Sequence, residues 1–193
     1  IGSDVGGFVG NPSERLYIRW MELGVFTPLF RQHAAWDTRR KEPWTFGVDV
    51  ENAVRDCINL RYRLLPFLYN EFYTASQTGS PGTGSLGTGW PVMRPVFFNF
   101  QDDPECYRTE IQNQFMLGDN LLVAPVLSEN EDFKRLYLPE GDWYDLNQKQ
   151  FYSGKQWIVQ AVPLKQIPYF LRESGFLPMQ AVQQYVGEKP LTE

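Results

Sequence analysis

Histidine occurs once in the 193 residues, at His33, and cysteine twice, at Cys57 and Cys106. A structural zinc site takes about four Cys or His ligands, and a disulfide framework needs more thiols than two. Neither is expected, and no metal or other cofactor is called for. Positive charge is also scarce. The 18 Lys+Arg face 23 Asp+Glu, a formal charge of −5, and no basic run exceeds Arg39-Arg40-Lys41. Polyanion binders gather Lys and Arg to neutralise phosphates, so neither nucleic acid nor an anionic membrane surface is an expected partner. No apolar run approaches the roughly 18–20 residues that cross a bilayer, so membrane insertion is not expected. Asn-X-Ser/Thr acceptors are missing, because Asn11-Pro12-Ser13 is blocked by its proline. That leans against a heavily glycosylated secreted origin, and the compartment stays unassigned. The opening Ile1-Gly2-Ser3-Asp4 has no Met, basic region or apolar region, so the sequence reads as a fragment whose first strand begins upstream.

What is there is ordinary in polarity and rich in rings. Hydrophobic residues make up 42% and charged ones 21%, which describes a globular chain. Aromatics reach 16%, which suits dense cores or sugar-stacking walls alike. A strand tail ends at Asp4, before Gly6-Gly7. Asn11-Pro12-Ser13-Glu14 then supplies capping oxygens for a helix over about Ser13 to Leu23, closed by Gly24. A second strand fits Val25 to Phe30 and ends at Arg31-Gln32-His33. Strand, helix, strand is a βαβ unit with parallel strands and a right-handed crossover. Ala34 to Gly47 reads as a long loop, a length that is usually functional. Asp49 caps a helix running to about Ser76, kinked at Pro66.

Residues 77–89 form a Gly/Ser/Thr-rich stretch too poor in apolar side chains to pack. Beyond it the periodicity becomes strand-like at Met93–Phe100, Leu121–Leu127, Arg135–Leu138, Trp143–Leu146, Gln150–Tyr152, Trp157–Leu164 and Ile167–Leu171. One helix, from Asp103-Pro104 to about Gln114, interrupts these strands. Short strands at this spacing predict an antiparallel β-sandwich.

In parallel α/β folds ligands bind beyond the C-terminal strand ends, where Asp4 and His33 both fall, one βα step apart. From spacing alone Asp4 is equally an ordinary turn residue and His33 an ordinary loop histidine. The longer string is more specific. Ser3-Asp4-Val5-Gly6-Gly7-Phe8, Arg19-Trp20-Met21, Arg31-Gln32-His33 and Glu42-Pro43-Trp44 occur in that order. Pro91-Val92-Met93-Arg94-Pro95, Gln114 to Asp119 and Leu122-Val123-Ala124-Pro125-Val126 come after them. Over nearly its whole length the chain resembles glycoside hydrolase family 31, the α-glucosidases and α-xylosidases.

The resemblance implies an α/β part plus an all-β part. Residues 1–78 would supply the last two βα units of a (β/α)8 TIM barrel, 79–90 a loop, and 91–193 the proximal C-terminal β-sandwich. It implies that Asp4 and His33 hydrogen-bond the hydroxyls of the terminal sugar, that Phe8 forms a wall beside it, and that Arg31 lies next to that cluster. It also implies that the nucleophile and the general acid/base are aspartates of earlier strands, whose motifs do not occur here. Retaining cleavage needs two carboxylates roughly 5–5.5 Å apart, so no catalytic residue is assigned. Asp37 and Glu42 are read as solvated loop acids.

The expected whole is a glycosidase, most simply an α-glucosidase acting on α-linked oligosaccharides. Its rivals are an α-xylosidase or α-transglucosylase of the same family, or a non-catalytic carbohydrate-binding or structural module. The isolated chain is expected to be inactive, with an apolar flank left open where the missing barrel strands would pair. Trp36 and Trp44 in the loop after His33 have the chance to stack on sugar. Trp20, Trp143 and Trp157 fit packing, and Cys57 reads as a buried small hydrophobe.

Overall fold

The computed structural model describes residues 2–76 and 90–189. The Gly/Ser/Thr-rich stretch at 77–89 lies outside the described residues. Strand β1 (Gly2–Val5) leads to helix α1 (Glu14–Gly24) and returns as strand β2 (Leu29–Gln32), which pairs with β1 in parallel. Ser13 starts α1 by accepting the Leu16 amide on its hydroxyl at 3.1 Å. Helix α1 does not stop before Gly24. It unwinds through short bonds from Phe26 N to Leu23 O and from Thr27 N to Gly24 O, both 3.1 Å. That unwinding uses up Val25 to Thr27, so β2 begins four residues later than the sequence suggested. Val25 and Phe26 are apolar because both are fully buried, not because they are extended.

The long loop contains a 3₁₀ turn at Pro43–Phe46. The single kinked helix of the sequence reading is two helices, α2 (Val48–Arg63) and α3 (Leu65–Ser76), parted at Leu64. Pro66 has no amide to offer, and its ring crowds the turn before it. Gly47, not Asp49, occupies the cap position, and Asp49 sits in the first turn, where the helix dipole favours an acid.

The remaining described residues include eight short strands: β3 (Met93–Pro95), β4 (Phe115–Leu117), β5 (Leu121–Val123), β6 (Phe133–Leu138), β7 (Asp142–Asp145), β8 (Gln150–Ser153), β9 (Gln156–Ala161) and β10 (Tyr169–Arg172). Six form an antiparallel sheet in the order β3-β4-β5-β10-β7-β8, and β6 pairs with β9 as a separate ribbon. Two corrections fall here. The strand expected over Met93–Phe100 ends at Pro95 and becomes a 3₁₀ turn at Val96–Phe98. The helix expected over 103–114 is two 3₁₀ turns, Pro104–Tyr107 and Thr109–Ile111, separated by an extended Arg108. Between them only Cys106 and Ile111 are buried, five residues apart, which leaves no helical stripe to pack.

The centre of the six-stranded sheet is buried on both faces, while the edge strand β8 is largely exposed. Met116, Leu122, Trp143 and Phe170 share a core with Leu136 and Leu138 of the ribbon. Phe115, Leu117, Leu121, Val123 and Tyr169 point the other way, into a core with Ile18, Met21, Leu64, Phe67 and Leu68 of the helices. The β1–β2 pair is less covered. A groove of about 370 Å³ runs beside β2, lined by Met21, Phe30, Val54, Ile58 and Leu65 among others. A second, of about 310 Å³, borders β1 at Ser3, Leu16, Trp20 and Leu23.

Candidate functional site

The register of the parallel pair sets Asp4 directly opposite Arg31 at the strand ends. Arg31 donates from Nε at 3.0 Å and from Nη2 at 2.8 Å, both to Oδ1 of Asp4. The other carboxylate oxygen, Oδ2, has no side-chain partner among the described residues. The Asp4 side chain is 24% exposed and Arg31 53%, so the pair sits at a surface. It orients more than it stabilises, because exposed ion pairs contribute little to folding.

Beyond Val5 the chain reverses through Gly6 and Gly7, at φ of 85° and 84°. Side chains are rarely tolerated there, and a Cβ on Gly6 would press on the Tyr17 ring at 3.0 Å. The amide of Gly7 closes the turn on Asp4 O at 2.8 Å. The buried Lys41 ammonium donates to Gly7 O. Burial pushes the Lys41 pKa down, and the nearby Asp4 carboxylate pulls against that.

The turn delivers Phe8, half exposed, to His33, with ring centres 5.5 Å apart and planes tilted by 35°. A backbone bond from Ala35 N to Phe8 O, at 2.7 Å, ties the loop after β2 to the loop after β1. The rest of the long loop is fastened to α1. Tyr17 donates to Lys41 O at 2.7 Å, and its ring stacks on Phe46 at 4.4 Å. Gln32 donates to Tyr17 Oη at 3.0 Å. Burial, with Glu42 nearby, raises the Tyr17 phenol well above its ordinary pKa, so its proton stays in place. Arg39 lies over the Phe46 ring at 4.1 Å.

The structure thus brings Asp4 beside Arg31 and Phe8 beside His33, and the Phe8–Ala35 bond joins the loop after β1 to the loop after β2. Chemically, a carboxylate oxygen accepts hydroxyl protons, an imidazole N–H donates to a hydroxyl oxygen and an aromatic face packs on apolar ring surface. Trp36 is 96% exposed and Trp44 66%, so neither anchors the loop. Asp37 is exposed as expected. Glu42 is not simply solvated, because its Oε2 is buried with no partner among the described residues. The supports Tyr17, Gln32 and Lys41 carried no signal in the sequence, since each acts through a contact at least nine residues distant along the chain. Among the described residues no group of three His, Cys, Asp or Glu could hold a metal ion, and no helix is long and apolar enough to cross a membrane.

Known proteins match this chain along almost its whole length. The family model of the glycosyl hydrolases family 31 TIM-barrel domain matches residues 1–71, and that of the family 31 C-terminal domain matches 89–176. The chain is 36% identical over 183 residues to Alpha-glucosidase 2 of Bacillus thermoamyloliquefaciens, covering 95% of this chain and 22% of that protein. It is 40% identical over 179 residues to Neutral alpha-glucosidase AB of Mus musculus, covering 92% and 18%. Among solved structures, a Flavobacterium johnsoniae GH31 dextranase complexed with glucose superposes with a TM-score of 0.85 at 37% identity, over 96% of this chain and 22% of that one. A GH31 alpha-xylosidase from a soil metagenome complexed with xylose gives a TM-score of 0.78 at 34% identity, over 90% and 28%. The chain spans about a fifth of the length of the curated relatives it matches.

Proposed function

The chain belongs to glycosyl hydrolase family 31, and from that premise we propose that it forms the sugar-gripping side of a retaining α-glucosidase acting on terminal α-linked glucose of oligosaccharides. In this reading β1 and β2 are the last two strands of the catalytic barrel, residues 91–193 are the β-sandwich that follows, and the two reacting carboxylates come from other barrel strands. Asp4 accepts two hydroxyls of the terminal glucose, His33 donates to one of them or its neighbour, and Phe8 walls the ring. Arg31 holds the Asp4 carboxylate in place. Catalysis depends on such fixing, because a group already oriented loses no freedom at the transition state.

The observation that carries this reading is the pairing of Asp4 with Arg31 across parallel strands, which leaves one carboxylate oxygen free at the strand ends from which the Phe8 and His33 loops emerge. The two open grooves flanking the pair support it as well, being apolar where further barrel strands and helices would lie. The names of the curated relatives favour glucose. Similarity to an α-xylosidase keeps xylose as the second reading, and the two sugars differ by the hydroxymethyl group that an aryl α-xyloside lacks.

The test is steady-state kinetics of the whole enzyme on aryl α-glucoside and α-xyloside. Hydrogen bonds to a charged group are worth about 1.5–3 kcal/mol each, so Asp4→Ala, losing two, should lower kcat/KM by roughly 10²–10⁴. His33→Ala should lower it at least about tenfold. Either variant within twofold of the parent refutes the assignment, and a preference for the xyloside replaces glucose with xylose.

A further inference from the structure

At one end of the β-domain, away from β1, β2 and the three helices, three loops and the end of β10 border a cleft of about 540 Å³. That lies within the range of about 300–1,000 Å³ typical of small-ligand sites. Its polar lining is mixed: the amide of Gln101, the carboxylates of Asp102 and Glu140, and the cations of Lys155 and Arg172, around Phe100.

The cleft is built, not incidental. Gly154 lies so close to the preceding turn that a Cβ there would stand 1.9 Å from Pro139 O and 2.4 Å from Gly141 O. Only glycine permits that approach. In the same turn Lys155 adopts a left-handed backbone, at φ 53°, and its exposed ammonium meets the exposed Glu140 carboxylate at 3.1 Å. Opposite, the Arg172 guanidinium lies 4.9 Å over the Phe100 ring and against Gly141. It is oriented by stacking, yet among the described residues none of its side-chain N–H groups has a hydrogen-bond partner. The loop that carries Asp102 is likewise fixed by its neighbours. Asp103 accepts the Tyr137 hydroxyl at 2.8 Å and the Glu105 amide at 3.1 Å, and Tyr107 donates to Gln101 O at 3.0 Å. The Asp102 carboxylate stays exposed and unpaired among the described residues.

An anion would meet Asp102 and Glu140, and a cation would meet Lys155 and Arg172. Hydroxyl groups, which donate and accept, satisfy both sets. We propose that this cleft is a second carbohydrate-binding site, taking the hydroxyl-rich face of a neutral glucan chain, separate from the Asp4/His33 rim. It would hold a polymer to the enzyme while the rim engages its end, which raises the effective concentration of ends.

The experiment is affinity electrophoresis of the whole enzyme in gels containing dextran or soluble starch, alongside aryl α-glucoside hydrolysis. The parent should be retarded by at least one polymer. Asp102→Ala and Arg172→Gln should each weaken that retardation about tenfold or more while hydrolysing the aryl glucoside like the parent. Asp102 is on an exposed loop, so its variant remains informative even if loss of the Arg172 stack disturbs the fold. Asp4→Ala should lose hydrolysis and keep retardation, which separates this site from the rim. Three results would overturn the proposal: no retardation of the parent, retardation surviving in the Asp102→Ala/Arg172→Gln double variant, or retardation abolished by Asp4→Ala.

Discussion

Helix α1 is fastened to the β-domain by a buried ion pair whose two halves should fail differently. The Arg19 side chain is 1% exposed and Glu22 3%, with Nη1 and Oε2 3.0 Å apart. Arg19 also donates to Glu131 O at 3.2 Å and to Val162 O at 2.5 Å, while Glu22 accepts the Lys165 amide at 2.6 Å. Glu22→Leu strands a guanidinium that cannot shed its proton, and removing one partner of a buried pair costs about 3–5 kcal/mol. For a domain of this size that lowers Tm by roughly 6–20 °C, at about 2–4 °C per kcal/mol. Arg19→Met is different, because Glu22 can take up a proton. Burial already holds the Glu22 pKa above the usual carboxylate value, with Arg19 as the main opposing influence, so the variant raises it further.

A carboxyl whose pKa is raised on folding binds, over the interval between its unfolded and folded values, a proton that the unfolded chain has lost. Stability therefore falls as pH rises through that interval, by at most about 1.4 kcal/mol per pH unit. Arg19→Met should be least destabilised at the acid end, where only its bonds to the Glu131 and Val162 carbonyls are missed, and lose further ground toward neutrality, more steeply than the parent. Glu22→Leu should lack this fall. The double variant Arg19→Met/Glu22→Leu should recover the part of the loss due to a stranded charge but keep the cost, about 1–3 kcal/mol each, of the backbone groups of Glu131, Val162 and Lys165 left without these partners. Thermal unfolding of the four proteins from about pH 4.5 to 8 checks this. A double variant as damaged as the sum of the singles, or identical pH profiles for the two singles, would refute the reasoning.

Two smaller predictions rest on packing. Gly154→Ala should destabilise the β-domain by at least the roughly 1–3 kcal/mol of ordinary overpacking, because the atoms its Cβ would meet are backbone; a Tm within about 1 °C of the parent would contradict it. Cys57 and Cys106 are buried and their thiols pushed up to about 12 by burial, with neighbouring carboxylates adding to it. Both should resist a thiolate-specific reagent at neutral pH until the protein is denatured, and rapid native-state titration of either would show that its pocket opens.

Legibility in the sequence tracked the range of the interactions. Helix α1 was readable because its start depends on Ser13 and its core face on Ile18 and Met21, all within one short segment. Phe115–Leu117 gave no strand signal of its own. Its three residues are all buried, because the sheet is covered by the ribbon on one face and by helices on the other, so alternation is lost. Asp103-Pro104 correctly marked a capped start, yet without a buried stripe the residues after it settle into two 3₁₀ turns instead of a helix. Asp4 and His33 were visible as strand-end residues, whereas their supports were not. The partners of Lys41 and Gln32 are set by how the loop folds back onto α1, which no local pattern encodes.

Helix α1 explains why these scattered supports act together. One face carries Tyr17 and Trp20, which hold the long loop and, through a bond from Trp20 Nε1 to Ser3 Oγ at 3.1 Å, strand β1. A second face, with Ile18 and Met21, enters the core shared with the six-stranded sheet. The third carries Arg19 and Glu22, together with Arg15, which binds Glu129 O and Asp132. Apolar contact fixes how deeply a helix sits but tolerates sliding along its axis, since dispersion is not directional. Hydrogen bonds to particular carbonyls and one amide do not tolerate it. The charges on the third face therefore set the axial position of α1 against the β-domain, and α1 in turn sets where the Gly6–Gly7 turn and its aromatic neighbour present the Asp4 carboxylate.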